Sequence, residues 1–125
     1  MARTHRDLET WKLANDLRRR IYQFTTRPQV AKDVDYCRQI RRAINSACSN
    51  TSEGFYKYKH PQFAHSMRVA RGELGEVIDL LNAAMQAGYL EPSEHDELTA
   101  LAARALAANG GLLNYLEGNG KIRSQ

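Results

Sequence analysis

Apolar residues recur at steps of three and four along most of the chain, which is the spacing of one face of an α-helix. The longest such run lies between residues 63 and 85. It forms a stripe about a third of the helix circumference wide, the pattern of a helix packed on a core. The apolar positions of this run are Phe63, Met67, Ala70, Leu74, Val77, Ile78, Leu81, Ala84 and Met85. Since no stretch shows sustained strand-like alternation, the pattern predicts an all-α protein.

Proline and glycine residues mark the ends of the helical segments. Pro61 and Pro92 suit the first turn of a helix, and Gly88 suits the position just after a helix end. The predicted helices cover about residues 7–25, 33–56, 61–87 and 92–117. Long helices joined by short loops indicate an up-down-up-down antiparallel four-helix bundle. We predict a single domain over the whole chain, with flexible ends at residues 1–5 and 118–125.

Two features are unusual for a bundle that stands alone. Apolar side chains cover more than half of the circumference of the first helix, which is wider than one core requires. These positions are Leu8, Trp11, Leu13, Ala14, Leu17, Ile21, Tyr22 and Phe24. The third helix carries Gly72 and Gly75 opposite its core stripe, although glycine inside a helix costs about 1 kcal/mol relative to alanine. Close backbone approach by another copy is one explanation and a tolerated surface glycine is the other, and the first favours self-association.

The formal net charge of +4 conceals an asymmetry between the two halves of the chain. Residues 1–60 hold 13 Lys/Arg against 6 Asp/Glu, a charge of +7, whereas residues 61–125 hold 5 against 8, a charge of −3. A basic half attracts phosphate, and it also attracts the acidic half of a neighbouring copy. Composition leaves both partners open.

Composition also bounds the class of protein. Hydrophobic residues make up 42% and charged residues 26%, which is typical of a globular chain. No apolar run approaches the roughly 20 residues that a membrane-spanning helix needs. The N-terminus is basic but lacks the apolar segment of a signal peptide, so we expect a cytoplasmic protein without a membrane partner. Cys37 and Cys48 are too few for a disulfide framework or a zinc site, and we expect two reduced, buried thiols.

Four segments of the sequence resemble a known family: "DLETWKLA" (7–14), "QIRRAINSACSNTSEGF" (39–55), "ARGELGE" (70–76) and "AGYLEPSEHDEL" (87–98). They are similar to the bacterial four-helix-bundle proteins encoded in intervening sequences of 23S ribosomal RNA genes. That family was once labelled a ribosomal protein, and it is distantly similar to the accessory variability determinant of diversity-generating retroelements. The resemblance spans about residues 7–117. Its most specific positions are Arg41, Arg42, Ala43, Ser46, Asn50, Glu53 and Gly54, followed by Arg71, Gly72 and Glu76.

The chain departs from the family pattern at several positions. Cys48 stands where the family usually has proline, and Asn45 and Thr51 stand where it tends to have apolar residues. Gly110 and Gly111 interrupt the fourth helix where longer side chains are usual. The resemblance implies a closed ring of subunits, commonly five, and a connection with nucleic acid. It implies no enzymatic activity that carries over to this chain.

Catalysis finds little support in the residues themselves. The hydroxyl residues of the second helix have no histidine nearby in the sequence, and the nearest, His60, lies beyond the turn. His60 and His65 are five apart, so the His-x3-His pattern of a helical metal pair is absent. The Glu-x-x-His motif of di-iron bundles is absent as well. We therefore expect a protein that is not an enzyme, with no catalytic residue, cofactor or metal.

Basic residues in the first half are the candidates for nucleic-acid contact, because lysine and arginine neutralise phosphates and exposed tyrosines stack on unpaired bases. The candidate nucleic-acid-binding residues are Arg19, Arg20, Arg38, Arg42, Lys57 and Lys59. We predict structured RNA or single-stranded nucleic acid, RNA or DNA, as the partner. The alternative is a purely protein–protein interaction scaffold, in which the basic surface serves a protein partner or a neighbouring copy.

A second stripe on the first helix is a candidate oligomer interface, because tryptophan, tyrosine and arginine are enriched at the centres of interfaces. The candidate interface residues are Trp11, Asn15, Arg18 and Tyr22, together with Gly72 and Gly75. Helical spacing brings Arg18 within cation–π reach of the two aromatic rings. A base-stacking platform and an ordinary bundle edge are the alternatives. Opposite charges favour a head-to-tail homo-oligomer, which closes into a ring, and the resemblance implies a pentamer.

Three further charged residues are assigned a structural role. Arg41 falls at the edge of the apolar stripe of the second helix. Because the planar guanidinium holds a carboxylate by two bonds, we predict an ion pair of Arg41 with Glu76 or another acid of the third helix. Arg71 is grouped with these structural charges.

Overall fold

The computed structural model describes the backbone of residues 2–57 and 59–123 and the side chains of residues 2–57 and 59–118. Four long helices account for most of the chain: α1 (Glu9–Thr25), α2 (Val34–Phe55), α3 (His60–Gln86) and α4 (Pro92–Arg123). A 3-10 turn, His5–Asp7, precedes α1, and a one-turn helix, Pro28–Ala31, joins α1 to α2. The described residues contain no β-strand, so the all-α prediction is confirmed.

The four helices pack in a square in which each helix contacts its two neighbours. Along α1 and α4, the Thr10 hydroxyl donates to the carbonyl of Ala105 at 3.1 Å. Further along α1, Arg20 donates to Glu97 at 2.7 Å, so the partners run in opposite directions along the chain. The same inverse order relates the other neighbouring helices through the pairs Tyr22–Asn45 and Arg41–Thr25, Tyr36–Leu80 and Arg42–Glu76, and His95–Asn82 and Arg68–Glu117. Neighbouring helices are therefore antiparallel.

Local signals in the sequence explain where the helices begin and end. The Asp33 side chain accepts a hydrogen bond from the backbone N–H of Tyr36 at 3.3 Å and caps the start of α2. Gly88 has a φ of 80° just after α3, a left-handed conformation that favours glycine at a helix end. Pro92 occupies the first turn of α4, where its missing N–H costs no helical hydrogen bond.

The last helix is longer than the sequence indicated. It continues through Gly110 and Gly111 to Arg123, past the predicted end at residue 117 and into the segment expected to be flexible. Leu113 and Leu116 are buried just beyond the two glycines, and their packing outweighs the cost of about 1 kcal/mol that each glycine brings to a helix. The predicted flexible end also includes residues 124 and 125, which lie outside the described residues.

Two apolar clusters form the core of the bundle. The large cluster draws on all four helices, and its most completely buried side chains include Leu17, Ile21, Phe24, Ile40, Ile44, Leu74 and Leu81. The small cluster joins the start of α3 to the far part of α4 and contains Ala64, Met67, Leu113 and Leu116. Nearly all positions of the predicted α3 stripe are buried or half-buried. Met85 is the exception, because it lies in the last turn of α3 and is 38% exposed.

Gly54 permits the closest approach between two helices. A Cβ atom at this position would lie 2.8 Å from the Cβ of Ser66 and 3.0 Å from the Cδ1 of Phe63, both on α3. Atoms at such distances overlap, so α2 and α3 meet here only because the residue is glycine. By contrast, a Cβ atom at Gly72 or Gly75 would meet nothing within 4 Å. Those two glycines are exposed and explain no contact within the chain.

Asn109 places an amide in the middle of the apolar interior. It is fully buried, and its Nδ2 donates to the backbone carbonyl of Met67 at 3.0 Å. Its Oδ1 has no hydrogen-bond partner among the described residues. Along α4, Asn109 stands one turn from Ala105 of the large cluster and one turn from Leu113 of the small cluster. The buried amide of Asn109 therefore lies between the two clusters.

Within the described residues, no helix combines the length and the apolar character that crossing a membrane requires.

Truncation of a fully buried leucine tests the position of the large cluster. We expect Leu74→Ala to lower the free energy of unfolding by about 2–5 kcal/mol, because it removes transfer energy and leaves a cavity. Met85→Ala, on the exposed edge of the same helix, is the control and should change it by less than about 1 kcal/mol. Chemical denaturation followed by circular dichroism measures both. Equal effects of the two substitutions would show that the core is misplaced.

Substitution of Asn109 tests how burial of its amide affects the free energy of unfolding. Asn109→Leu removes an unpaired buried oxygen at similar volume, so we expect the free energy of unfolding to stay within about 1 kcal/mol of the native value or to rise. Asn109→Asp places a carboxylate at the same site and should lower it by more than about 3 kcal/mol. If Asn109→Leu proved strongly destabilising in urea unfolding, the amide would be a net stabilising group.

Candidate functional site

Two neighbouring cavities line the seam between α1 and α2, and Arg18 contributes to both. The first has a volume of about 330 Å³ and is lined by Arg18, Arg19, Tyr22 and Asn45. The second has a volume of about 290 Å³ and is lined by His5, Arg6, Trp11, Arg18, Cys48, Ser49 and Ser52. We call the surface formed by these residues the α1–α2 groove.

Helical spacing explains why these side chains meet. Trp11, Arg18 and Tyr22 follow each other at steps of seven and four, so they share one face of α1. Asn15 lies between them and accepts a hydrogen bond from Nη2 of Arg18 at 2.8 Å. On α2, steps of three and four from Asn45 likewise place the groove residues of that helix on one face. The two faces are opposed because α1 and α2 pack as antiparallel neighbours.

Arg41 anchors the seam beside the last turn of α1. Its Cζ lies 4.3 Å from the centroid of the Tyr22 ring, a cation–π contact. Its Nε and Nη2 donate to Oγ1 of Thr25 at 3.0 and 2.9 Å. Thr25 in turn donates to the carbonyl of Ile21 at 2.7 Å. The hydroxyl of Tyr22 accepts from Nδ2 of Asn45 at 2.7 Å, so the position of the ring is fixed from both helices.

The N-terminal turn closes one end of the groove. The His5 ring makes edge contacts with Trp11 of α1 and with Tyr56 directly after α2, at centroid distances of 5.0 and 5.7 Å. Nδ1 of His5 lies 3.2 Å from the Tyr56 hydroxyl, which also accepts from the backbone N–H of His5 at 3.4 Å. The turn therefore bridges the start of α1 and the end of α2.

The groove carries positive charge that carboxylates within it do not balance. Arg6, Arg18 and Arg19 line it, and no Asp or Glu is among the lining residues. Among the described side chains, Arg18 donates a hydrogen bond to the neutral amide of Asn15 and not to a carboxylate. Arg19 pairs with Asp16 on the exposed surface of α1. This combination of guanidinium groups, amides, hydroxyls and aromatic rings suits an anionic ligand that carries planar groups.

A model of the family described as 23S rRNA-intervening sequence protein matches residues 6–108. The chain belongs to this family. The match includes α1, α2, α3 and every residue of the α1–α2 groove except His5, and it confirms the resemblance recognised in the sequence. It ends before Asn109, whereas the resemblance was placed as far as residue 117. No curated protein matches the chain.

In this 23S rRNA-intervening sequence protein, the predicted ion pair of Arg41 is wrong. Arg42 binds Glu76, with Nη2 at 2.8 and 3.0 Å from the two carboxylate oxygens, and it also reaches Glu73 at 3.4 Å. Consecutive residues of a helix point about 100° apart. Arg42 therefore faces α3 while Arg41 faces α1. Arg71 is exposed, and no ion pair forms at it among the described residues.

The predicted nucleic-acid-binding residues do not gather on one surface. Arg19 lines the groove, whereas three others pair with carboxylates elsewhere: Arg20 with Glu97, Arg38 with Asp35, and Arg42 with Glu73 and Glu76. Lys57 and Lys59 are exposed in the connection between α2 and α3. Adjacent arginines diverge because each step along a helix turns the side chain by about 100°.

Four of the predicted interface residues do lie together. Trp11, Arg18 and Tyr22 line the α1–α2 groove, and Asn15 hydrogen-bonds to Arg18 beside it. The cation over the Tyr22 ring is Arg41 rather than Arg18, because Arg18 turns toward the Asn15 amide. Gly72 and Gly75 lie on the exposed side of α3, a helix that does not contact α1.

Sequence reasoning overlooked several residues of the groove. Asn45 had one visible signal, since a polar residue stands there in place of an apolar one. Cys48 was expected to be a buried thiol, and it is 2% exposed. Burial raises the pKa of Cys48 to about 11, so the sulfur stays protonated at neutral pH and is a poor nucleophile. Ser49 and Ser52 gave no signal, because exposed serines on a helix are common. The described residues contain no group of three or more side chains that could hold a metal ion.

Proposed function

We propose that this 23S rRNA-intervening sequence protein is a non-enzymatic, oligomeric module that binds structured RNA or single-stranded nucleic acid through the α1–α2 groove. The lining of the groove carries the proposal, because Arg6 and Arg18 stand beside the Trp11 and Tyr22 rings there with no Asp or Glu among the lining residues. Guanidinium groups neutralise phosphates, and the faces of aromatic rings accept unpaired bases of any sequence.

The dimensions of the groove support a strand as the ligand. Along α1 it extends from Trp11 to Tyr22, about 16 Å at a rise of 1.5 Å per residue. A stacked strand advances about 3.4 Å per nucleotide, so the groove has room for a few nucleotides. Lys57 directly follows Tyr56 at the closed end, and it extends the positive potential beyond the groove.

The alternative is a protein–protein interaction scaffold with no role in nucleic-acid binding. Arg20, Arg38 and Arg42 already pair with carboxylates of the chain, which reduces the positive charge available to phosphates. This observation favours the scaffold, whereas the unbalanced charge of the groove favours nucleic acid. The two functions differ in how binding responds to salt.

Self-association forms part of the same proposal. Gly72 and Gly75 have open space where a side chain would be, and nothing within the chain accounts for glycine at either position. A neighbouring copy whose backbone approaches this face of α3 supplies a reason. The charges of the two halves, +7 and −3, suit a head-to-tail contact, which closes into a ring when the rotation permits. We propose a homo-oligomer, most simply the pentamer implied by the resemblance.

A salt titration tests nucleic-acid binding. A labelled pool of mixed RNA and single-stranded DNA should bind at low salt, with log affinity falling linearly as log salt rises, because bound phosphates release counterions. Arg18→Gln should weaken binding and reduce the slope by about 1, since it removes one phosphate contact. Arg104→Gln makes the same charge change on the exposed side of α4 and is the matched control. No retention at low salt would leave the scaffold as the better account.

Light scattering tests the assembly. We expect a mass several times the 14.2 kDa of one chain at micromolar concentration. Gly72→Leu and Gly75→Leu should shift the protein toward smaller species without loss of helix content, because a side chain there meets nothing within its own chain. Gly111→Leu is the control, since Gly111 has open space in α4 outside the proposed interface. A single-chain mass for the native protein would refute the ring.

A further inference from the structure

The closed end of the α1–α2 groove differs from its open end in shape. The His5 ring packs edge-on against Trp11 and Tyr56 at the closed end. A strand that followed the groove from Tyr22 would reach this ring. Because this turn spans from α1 to the end of α2, the groove stops there. A strand whose end lies in the second cavity would bring its terminal group to Arg6 and Arg18.

The second cavity presents positive groups from two directions. Arg6 belongs to the N-terminal turn and Arg18 to the third turn of α1, and both line the cavity. Ser49 and Ser52 add hydroxyls from α2. These hydroxyls donate to the carbonyls of Ser46 and Ser49 at 3.3 and 3.0 Å, and a hydroxyl rotates readily toward a stronger acceptor.

The carboxylate nearest to the cavity in the sequence is already engaged. Asp7 accepts hydrogen bonds from the backbone N–H groups of Arg3 and Thr4 at 2.8 and 3.0 Å. These bonds hold the pKa of Asp7 below its usual value. Asp7 does not line the cavity, so no Asp or Glu stands beside Arg6 and Arg18 among its lining residues.

We propose that the second cavity binds the terminal phosphate of a single strand, an inference that rests on the proposed function. A phosphate monoester carries a charge of about −1.5 to −2 at neutral pH and three acceptor oxygens, whereas a phosphate inside a strand is a diester with one charge. Two guanidinium groups and two hydroxyls match the monoester. Trp11, in the same wall, offers a ring to the terminal base.

Fluorescence anisotropy with short single-stranded RNAs tests the inference. The same sequence is prepared with a 5′-phosphate, with a 3′-phosphate and with neither. One of the phosphorylated strands should bind about tenfold more tightly than the strand with none, since each charge-assisted hydrogen bond is roughly twice as strong as a neutral one. Equal affinity of all three strands would overturn end recognition while leaving groove binding intact. Loss of all binding at low salt would overturn the proposed function itself.

Two variants locate the effect in the cavity. Arg6→Gln should abolish the preference for the terminal phosphate, so that the strands with and without one bind with equal affinity. Arg3→Gln makes the same charge change two positions earlier, outside the cavity lining, and should keep the preference. A preference that survives Arg6→Gln would overturn the assignment. A free mononucleotide that binds as tightly as the phosphorylated strand would also overturn it, because the site would then be specific for a free nucleotide.

Discussion

The packing of α1 against α2 depends on Arg41, a charged residue in the contact between the two helices. Among the described residues, no carboxylate pairs with it. Arg41 is half-buried, and the face of the Tyr22 ring and the hydroxyl of Thr25 satisfy its guanidinium. A lysine lacks the planar fork that makes both contacts at once. Because Tyr22 also bonds to Asn45, one network fixes the register of the two helices. The network lies at the margin of the groove, where Tyr22 and Asn45 are lining residues.

The spacing of apolar residues predicted the helices and most of the core, because this spacing matches the repeat of the α-helical backbone. The spacing of apolar residues did not predict which side chains of neighbouring helices contact each other. Arg41 stands at the edge of the apolar stripe and Arg42 on the polar side, and which of them faces α1 or α3 depends on the rotation of α2 in the bundle. Gly54 shows the same limit. Its role rests on the 2.8 Å that separates its missing Cβ from Ser66, a residue on another helix.

Membership of the 23S rRNA-intervening sequence protein family and the geometry of the groove bear on function in different ways. The family match covers every groove residue except His5, yet its description states no activity. The groove indicates the kind of ligand, because guanidinium groups, amides and aromatic rings line it and no Asp or Glu does. Its residues come from α1, α2 and the N-terminal turn of a single chain. A ligand could therefore bind to each subunit of an oligomer independently, and a ring would offer one long strand several equivalent contacts.

The buried amide of Asn109 bears on how the molecule opens. It separates the large cluster from the small one, which has only a few buried apolar side chains. Regions with few buried contacts open at lower free energy than the whole fold. The small cluster lies at the end of the bundle where α2 ends and α3 begins, the same end at which the N-terminal turn closes the groove. The turn is held at this end by Tyr56, so local opening that frees Tyr56 would expose the closed end of the groove while the main core stays folded.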